Sequence, residues 1–240
     1  MSKSSNWLSF SDLMTGLMVI FMFVAISYIM EVEKAQESMR YAIVDYQDTK
    51  VAIKNKLQSA FEREFKEWDM ELGEDLSIRF TNPNVMFAIG KSEITPYFKS
   101  VLDQFLPRYF NILLDEDFTD KIKEIRIEGH TDDAPLRLDA LDEEGYMGNI
   151  FLSQERAANV LYHFRKMGYF KNLPLIKKEK LQYWITANGL SYGRTLDDNK
   201  QETYSTGLPI NRVNSRRVEF RIITTSEAVV EEIIKEMIEE

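Results

Sequence analysis

From Leu13 to Met30 the chain runs 18 residues without a charged side chain. Counted from Phe10, and tolerating Asp12, the apolar run is 21 residues long. At about 1.5 Å per residue that is about 31 Å of helix, the thickness of a bilayer's hydrocarbon core. A helix satisfies its own backbone, which lipid requires. The run is longer than the apolar part of a secretory signal, and no small-x-small cleavage pattern follows Tyr28. The expectation is therefore an uncleaved, single-pass anchor. Lys3 and the amino terminus precede the run, while Glu31 and Glu33 follow it. The positive-inside rule then places the N-terminus in the cytoplasm and residues 31–240 across the membrane.

Asp12 lies about one turn into this helix. A carboxylate in a membrane helix costs about 2.5–3.5 kcal/mol at its centre and less near an end. An acid kept there at such a cost reads as part of an ion or proton path. Ser9, Asp12 and Gly16 share one helix face, with Thr15 beside it. Small residues on that face admit a second helix, and hydroxyls can bond a carboxyl group. The plainer alternative is a helix cap at the membrane surface.

The remaining length suffices for one domain of about 150 residues with a real core. The formal charge of −9 argues against a nucleic-acid-binding surface. The absence of cysteine excludes disulfides and thiolate metal sites. His130 and His163 are the only histidines, too few for a histidine-rich metal centre. Neither a resident cofactor nor a metal is expected.

Residues 31–70 contain neither Pro nor Gly. Val32, Met39, Ile43, Tyr46, Ile53, Leu57, Phe61, Phe65 and Trp68 form an apolar stripe at helical spacing. A helical stalk that pairs with a second copy is the favoured reading, with a helix packed on its own domain as the alternative. Gly73 marks the boundary. Beyond it, strands are predicted at Leu76–Phe80, Val85–Phe87, Ile122–Glu128, Leu181–Asn188 and Arg217–Thr224, and helices at Pro96–Leu114 and Leu152–Lys166. The fold class is α+β, with helices on one face of a mixed sheet. The expected division is 1–30 for tail and membrane helix, 31–73 for the stalk, 74–225 for the domain and 226–240 for an acidic amphipathic helix.

Enzyme signatures are missing. Gly90-Lys91-Ser92 resembles the end of a phosphate loop, but position 85 is Val, so the first glycine is absent. No Gly-x-Ser-x-Gly elbow occurs. Asp132, Asp133, Asp139, Asp142, Glu143 and Glu144 read as a solvated acidic loop, with a calcium site as the minority view. His130 reads as a packing residue at a strand end.

A binding site is legible instead. Ser153 is a candidate helix cap, which would put Arg156 in a first turn beside free backbone N–H groups. A guanidinium there can capture a carboxylate. Asp132, at a strand end, can hold an ammonium. A zwitterionic amino-acid end is the matching ligand.

Two stretches carry a family resemblance. Trp7-Leu-Ser-Phe-Ser-Asp12-Leu-Met-Thr15-Gly-Leu-Met resembles the membrane segment of MotB-type stator subunits. Ile125-Arg-Ile-Glu-Gly129-His130-Thr131-Asp132 and Asn149-Ile-Phe-Leu152-Ser153-Gln-Glu-Arg156-Ala157 resemble the OmpA-like peptidoglycan-binding domain, as do Phe87–Ile94 and Asn214–Glu219. The resemblance implies an OmpA-like sandwich. It implies that Asp12, with Thr15 and Ser9, binds a translocated proton or sodium ion beside a multispanning MotA/ExbB-like channel subunit, in a pentameric ring around a dimer of this chain. It implies that Asp132 and Arg156 hold diaminopimelate in peptidoglycan stems, supported by Asn149, Thr131 and Leu152, with Arg217 as a weaker candidate.

The connections from Asp132 to Asn149 and before Asn214 are longer than the family's usual ones, and the N-terminal tail is shorter than in flagellar stators. These features resemble the membrane subunits of Zorya anti-phage defence systems. The expected protein is thus a bacterial inner-membrane motor subunit, anchored to the wall by a periplasmic domain. A flagellar stator subunit is the second reading, and a wall tether without ion transport the third.

Overall fold

The structure, a computed structural model, describes residues 4–136, 144–227, 229 and 230, with side chains from Phe10 onward. One unit ends at Asp45 and a second begins at Tyr46. Helix α1 spans Ser4–Ala60. Its residues 10–38 are all exposed, and the run beginning at Phe10 is long and apolar enough to cross a membrane.

The second unit opens with the last turns of α1 and with α2 (Glu64–Glu67). Then come β1 (Met70–Leu72), β2 (Ser77–Phe80), α3 (Pro83–Met86), α4 (Pro96–Leu113) and β3 (Ile122–His130). Helices α5 (Tyr146–Lys166), α6 (Gly168–Asn172) and α7 (Leu175–Trp184) lead to β4 (Ile185–Gly189). The short helices α8 (Thr203–Thr206) and α9 (Arg212–Ser215) precede β5 (Arg217–Thr224). The sheet order is β1-β2-β5-β3-β4. Strand β3 pairs in parallel with β4 and antiparallel with β5, so the sheet is mixed. The domain has the α+β architecture read from the sequence.

Strand alternation sorts the sheet into two faces. Ile78 and Phe80 of β2, Ile125 and Ile127 of β3, and Val218, Phe220 and Ile222 of β5 belong to one apolar core. That core also takes Phe98, Leu102, Phe105 and Tyr109 from α4, Val160 and Phe164 from α5, and Ile53, Leu57 and Phe61 from the end of α1 onward. The rings of Phe80, Phe105 and Phe220 meet edge to face at 5.2–6.0 Å, a favoured aromatic geometry. The opposite face carries Arg79, Glu128, His130, Arg217 and Glu219.

Several element boundaries differ from the sequence reading. The stalk helix ends at Ala60 rather than near Met70, and its stripe from Ile53 to Trp68 is consumed by the chain's own core. Val32, Met39, Ile43 and Tyr46 are not part of that core. The expected strand at Val85–Phe87 is a helical turn, because Pro83 supplies a preset first position for it. The expected strand at Leu181–Asn188 begins only at Ile185, because Leu181 and Trp184 are still helical and turn one α7 face into the core. Ser153 is not a cap: α5 already begins at Tyr146, after Gly145 in the left-handed region at φ 71°. A side chain at Gly145 would meet the Leu136 nitrogen at 2.5 Å, so the turn needs glycine. The helix expected from 226 onward lies outside the described residues beyond 230, as does most of the acidic loop (137–143).

Candidate functional site

One end of β3 and the first turns of α5 build a cavity of about 190 Å³. Thr131, Asp132, Asn149, Leu152 and Arg156 line it, with Phe87, Ile89, Gly90, Pro135, Leu136 and Arg216. Five of the residues read from the motifs thus converge on one concavity, although 25 positions of chain separate Thr131 from Arg156.

The convergence follows from how the segments are tied. The Leu190 N–H donates to the Gly129 carbonyl at 3.0 Å, and the Thr131 N–H donates to the Ser191 carbonyl at 2.9 Å. Ser153 Oγ accepts the Ser191 N–H at 3.0 Å, which locks α5 onto the same strand ends. The Asn149 amide donates to the carbonyls of Ala134 at 2.9 Å and Gly145 at 3.0 Å, holding both ends of the intervening loop. On the far wall Thr95 caps α4 by accepting the Phe98 N–H at 3.1 Å and donates to the Val85 carbonyl. The Lys91 and Ser92 carbonyls accept from Arg156 Nε at 2.9 Å and from Asn159 at 2.8 Å. The Gly90-Lys91-Ser92 turn is therefore stitched to α5 by its carbonyls.

Arg156 packs over the Phe87 ring at 5.0 Å. Burial holds its pKa down at about 10; the charge of Arg216 adds to this and Asp132 opposes it. With α5 starting at Tyr146, Arg156 stands in mid-helix, so its guanidinium acts without help from a helix N-terminus. Asp132 accepts the Ala134 N–H at 3.2 Å through one oxygen, and its other oxygen faces the Arg216 guanidinium at 3.5 Å. Asp133 is engaged elsewhere: the hydrogen bond from Arg212 Nε, at 2.7 Å, holds its carboxyl below the usual range.

Arg217 touches the cavity wall, but its guanidinium is committed to the other sheet face. It bonds Glu219 and donates to the carbonyls of Arg194 and Ser215 at 3.1 Å. Arg216 was not singled out by sequence reasoning, yet it supplies the second guanidinium of the cavity. Alternation along β5 carries that signal: Arg216 shares the parity of Val218, Phe220 and Ile222, the face on which the helices lie.

Behind the strand end, His130 sits 3.4 Å from Glu128 and 3.9 Å from Glu219, buried with both. Ligand atoms of these three lie within 4.8 Å of one another, close enough to share a metal ion. Arg79 Nε, at 3.1 Å, and Arg217 already occupy Glu219, so the cluster is charge-balanced by guanidiniums and fits an ion-pair network. Burial would push the Glu219 carboxyl up, but Arg217, His130 and Arg79 outweigh it and hold it at about 2.

In the first unit, Asp12 and Thr15 are exposed on the surface of α1. The Thr15 hydroxyl donates to the Ser11 carbonyl at 2.8 Å. The Ser9 side chain lies outside the described part.

No family model matches the chain. Among solved structures it is similar to a putative MotB-like protein from Desulfovibrio vulgaris, at 22% identity and TM-score 0.46, covering 78% of this chain and 98% of that one. It is also similar to the cell wall anchor of the T6SS from Pseudomonas aeruginosa, at 18% identity and TM-score 0.42, covering 70% of this chain and 96% of that one. A Zorya protein, ZorB, from Escherichia coli is 33% identical over 243 residues, covering 97% of this chain and 94% of that protein. At that identity over nearly the whole of both chains, the chain belongs to the ZorB family.

Proposed function

We propose that this chain is the membrane-spanning, wall-anchored subunit of an ion-driven motor complex in an anti-phage defence system. The observation that carries the reading is the relationship to a Zorya protein across almost the full length of both chains, which takes in the Asp12 helix and the Asp132–Arg156 cavity together.

The apolar helix spans the inner membrane once, with the N-terminus cytoplasmic and the domain periplasmic. A carboxyl group withdrawn from water takes up a proton more readily, and water on the far side lets it leave. Each charge crossing about 100 mV releases about 2.3 kcal/mol, enough to bias a mechanical step. Asp12 carries that ion, a proton or sodium, at a seam with a multispanning MotA/ExbB-like ring, pentameric around two copies of this chain. Val32, Met39, Ile43 and Tyr46, which the domain core leaves unused, supply the contact between the two copies.

The domain grips peptidoglycan. Arg156 and Arg216 face a ligand carboxylate, Asp132 faces its ammonium, and Phe87, Ile89 and Leu152 receive the aliphatic part. The test is sedimentation of the full-length chain, in detergent, with purified peptidoglycan. Asp132→Ala and Arg156→Ala should each strip most of the bound fraction while leaving thermal stability near wild type. Undiminished binding by both variants would refute the cavity as the wall site.

A further inference from the structure

Two guanidiniums and one carboxylate converge on the cavity: Arg156, Arg216 and Asp132. The neighbouring charges are spent, since Asp133 is bound by Arg212 and Arg217 by Glu219. The described wall therefore carries an excess of one positive charge. Two of its lining residues also hold unpaired polar atoms beneath the surface. Arg216 Nε and Thr131 Oγ1 are buried with no hydrogen-bond partner. Such atoms are costly unless a ligand or water satisfies them. Arg156 spends Nε on the Lys91 carbonyl, which leaves its terminal nitrogens for a ligand. The 3.5 Å separation of Asp132 and Arg216 is long for a charge-assisted bond, so the Asp132 oxygen stays open to an ammonium.

We propose that Arg216 and Arg156 make the cavity selective for a free carboxylate, so that it takes an amino-acid end with both its ammonium and its carboxylate and rejects the same end as a carboxamide. This rests on the wall-binding reading above. A carboxylate brings two acceptor oxygens and cancels the excess charge. A carboxamide brings one acceptor, no charge, and an NH₂ group aimed at other donors. A site built from unpaired donors discriminates sharply against a ligand that leaves them unpaired. Amidation of a diamino-acid carboxyl is thus the change that the cavity reads.

The experiment is calorimetric titration of the full-length chain in detergent with two soluble muropeptides that differ only in amidation of the diamino-acid carboxyl. Losing a hydrogen bond to a charged group weakens binding about tenfold to a hundredfold, and that is the expected penalty for the amide. Arg216→Gln should lose most of the discrimination, and Arg216→Lys should keep part of it, with melting temperature as the fold check. Wild-type binding of both muropeptides within about twofold overturns the inference but leaves wall binding intact. Binding of neither overturns both. Full discrimination by Arg216→Gln overturns the assignment to Arg216. If that variant fails to fold, the wild-type pair and Arg216→Lys still decide.

Discussion

The α-carbon of Gly129 lies so close to the backbone carbonyl of Ser153 that a methyl group in its place would overlap the oxygen. Gly189, paired with Gly129 across β3 and β4, meets the backbone of Gln154 in the same way. Two glycines side by side thus let α5 lie directly on the sheet just before the cavity-lining Thr131 and Asp132. Gly129→Ala must lift the helix or bend the strand. Overpacking of this kind costs about 1–3 kcal/mol, so melting should fall by several degrees. Peptidoglycan sedimentation should fall with it, because the displaced strand end lines the cavity proposed to bind the wall.

Arg217 and Glu219 make the opposite kind of prediction. Both are buried on the charged sheet face, and removing Arg217 leaves Glu219 to Arg79 and the carbonyls of Arg194 and Ser215 without their donor. Breaking such a pair costs about 3–5 kcal/mol. Arg217→Ala should therefore be among the most destabilising single changes in the domain by thermal or denaturant unfolding, whereas Arg156→Ala should affect wall binding far more than folding.

Acid should loosen the same face in two steps. Burial, then the charge of Arg217, holds His130 below its ordinary 6.5, against the opposing pull of Glu128 and Glu219. Arg79 and Arg194 face the cluster from β2 and from the segment after β4. The unfolded chain accepts the proton more readily than the folded one, so this contribution is present above about pH 6.5 and is lost as pH falls below it. Glu219 is held at about 2 against an ordinary 4.5, so its contribution is present above about pH 4.5 and is lost between there and about 2. Melting temperature measured from pH 8 to pH 3 should show both declines. His130→Asn should remove the upper one and shrink the lower one, since His130 is among the charges that hold Glu219 down; a profile unchanged by that variant would refute the assignment.

The sheet and the cavity were legible in the sequence because both rest on local signals. Alternation at Arg217–Thr224 gives a strand with one apolar face, and Asp132 and Arg156 fall in short motifs at a strand end and on a helix. What misled was competition between patterns of the same residues. The apolar stripe at Ile53, Leu57 and Phe61 suits a partner helix and a domain core equally well, and only the position of Phe105 decides between them. Ser153 has the chemistry of a cap, but Gly145, eight positions earlier, stops the loop first. Arg216 escaped notice beside Arg217, although alternation along β5 sets the two on opposite faces and puts Arg217 on the side of Glu219, which binds it.

The proposed motor depends on an ion crossing the membrane at Asp12. The direct measurement is voltage-driven proton or sodium uptake into proteoliposomes holding the full-length chain with its multispanning partner, compared with the Asp12→Asn chain at equal incorporation. Flux that falls to the level of empty vesicles, with peptidoglycan sedimentation retained, is the predicted result. Equal flux through both chains would contradict it and leave only the wall anchor.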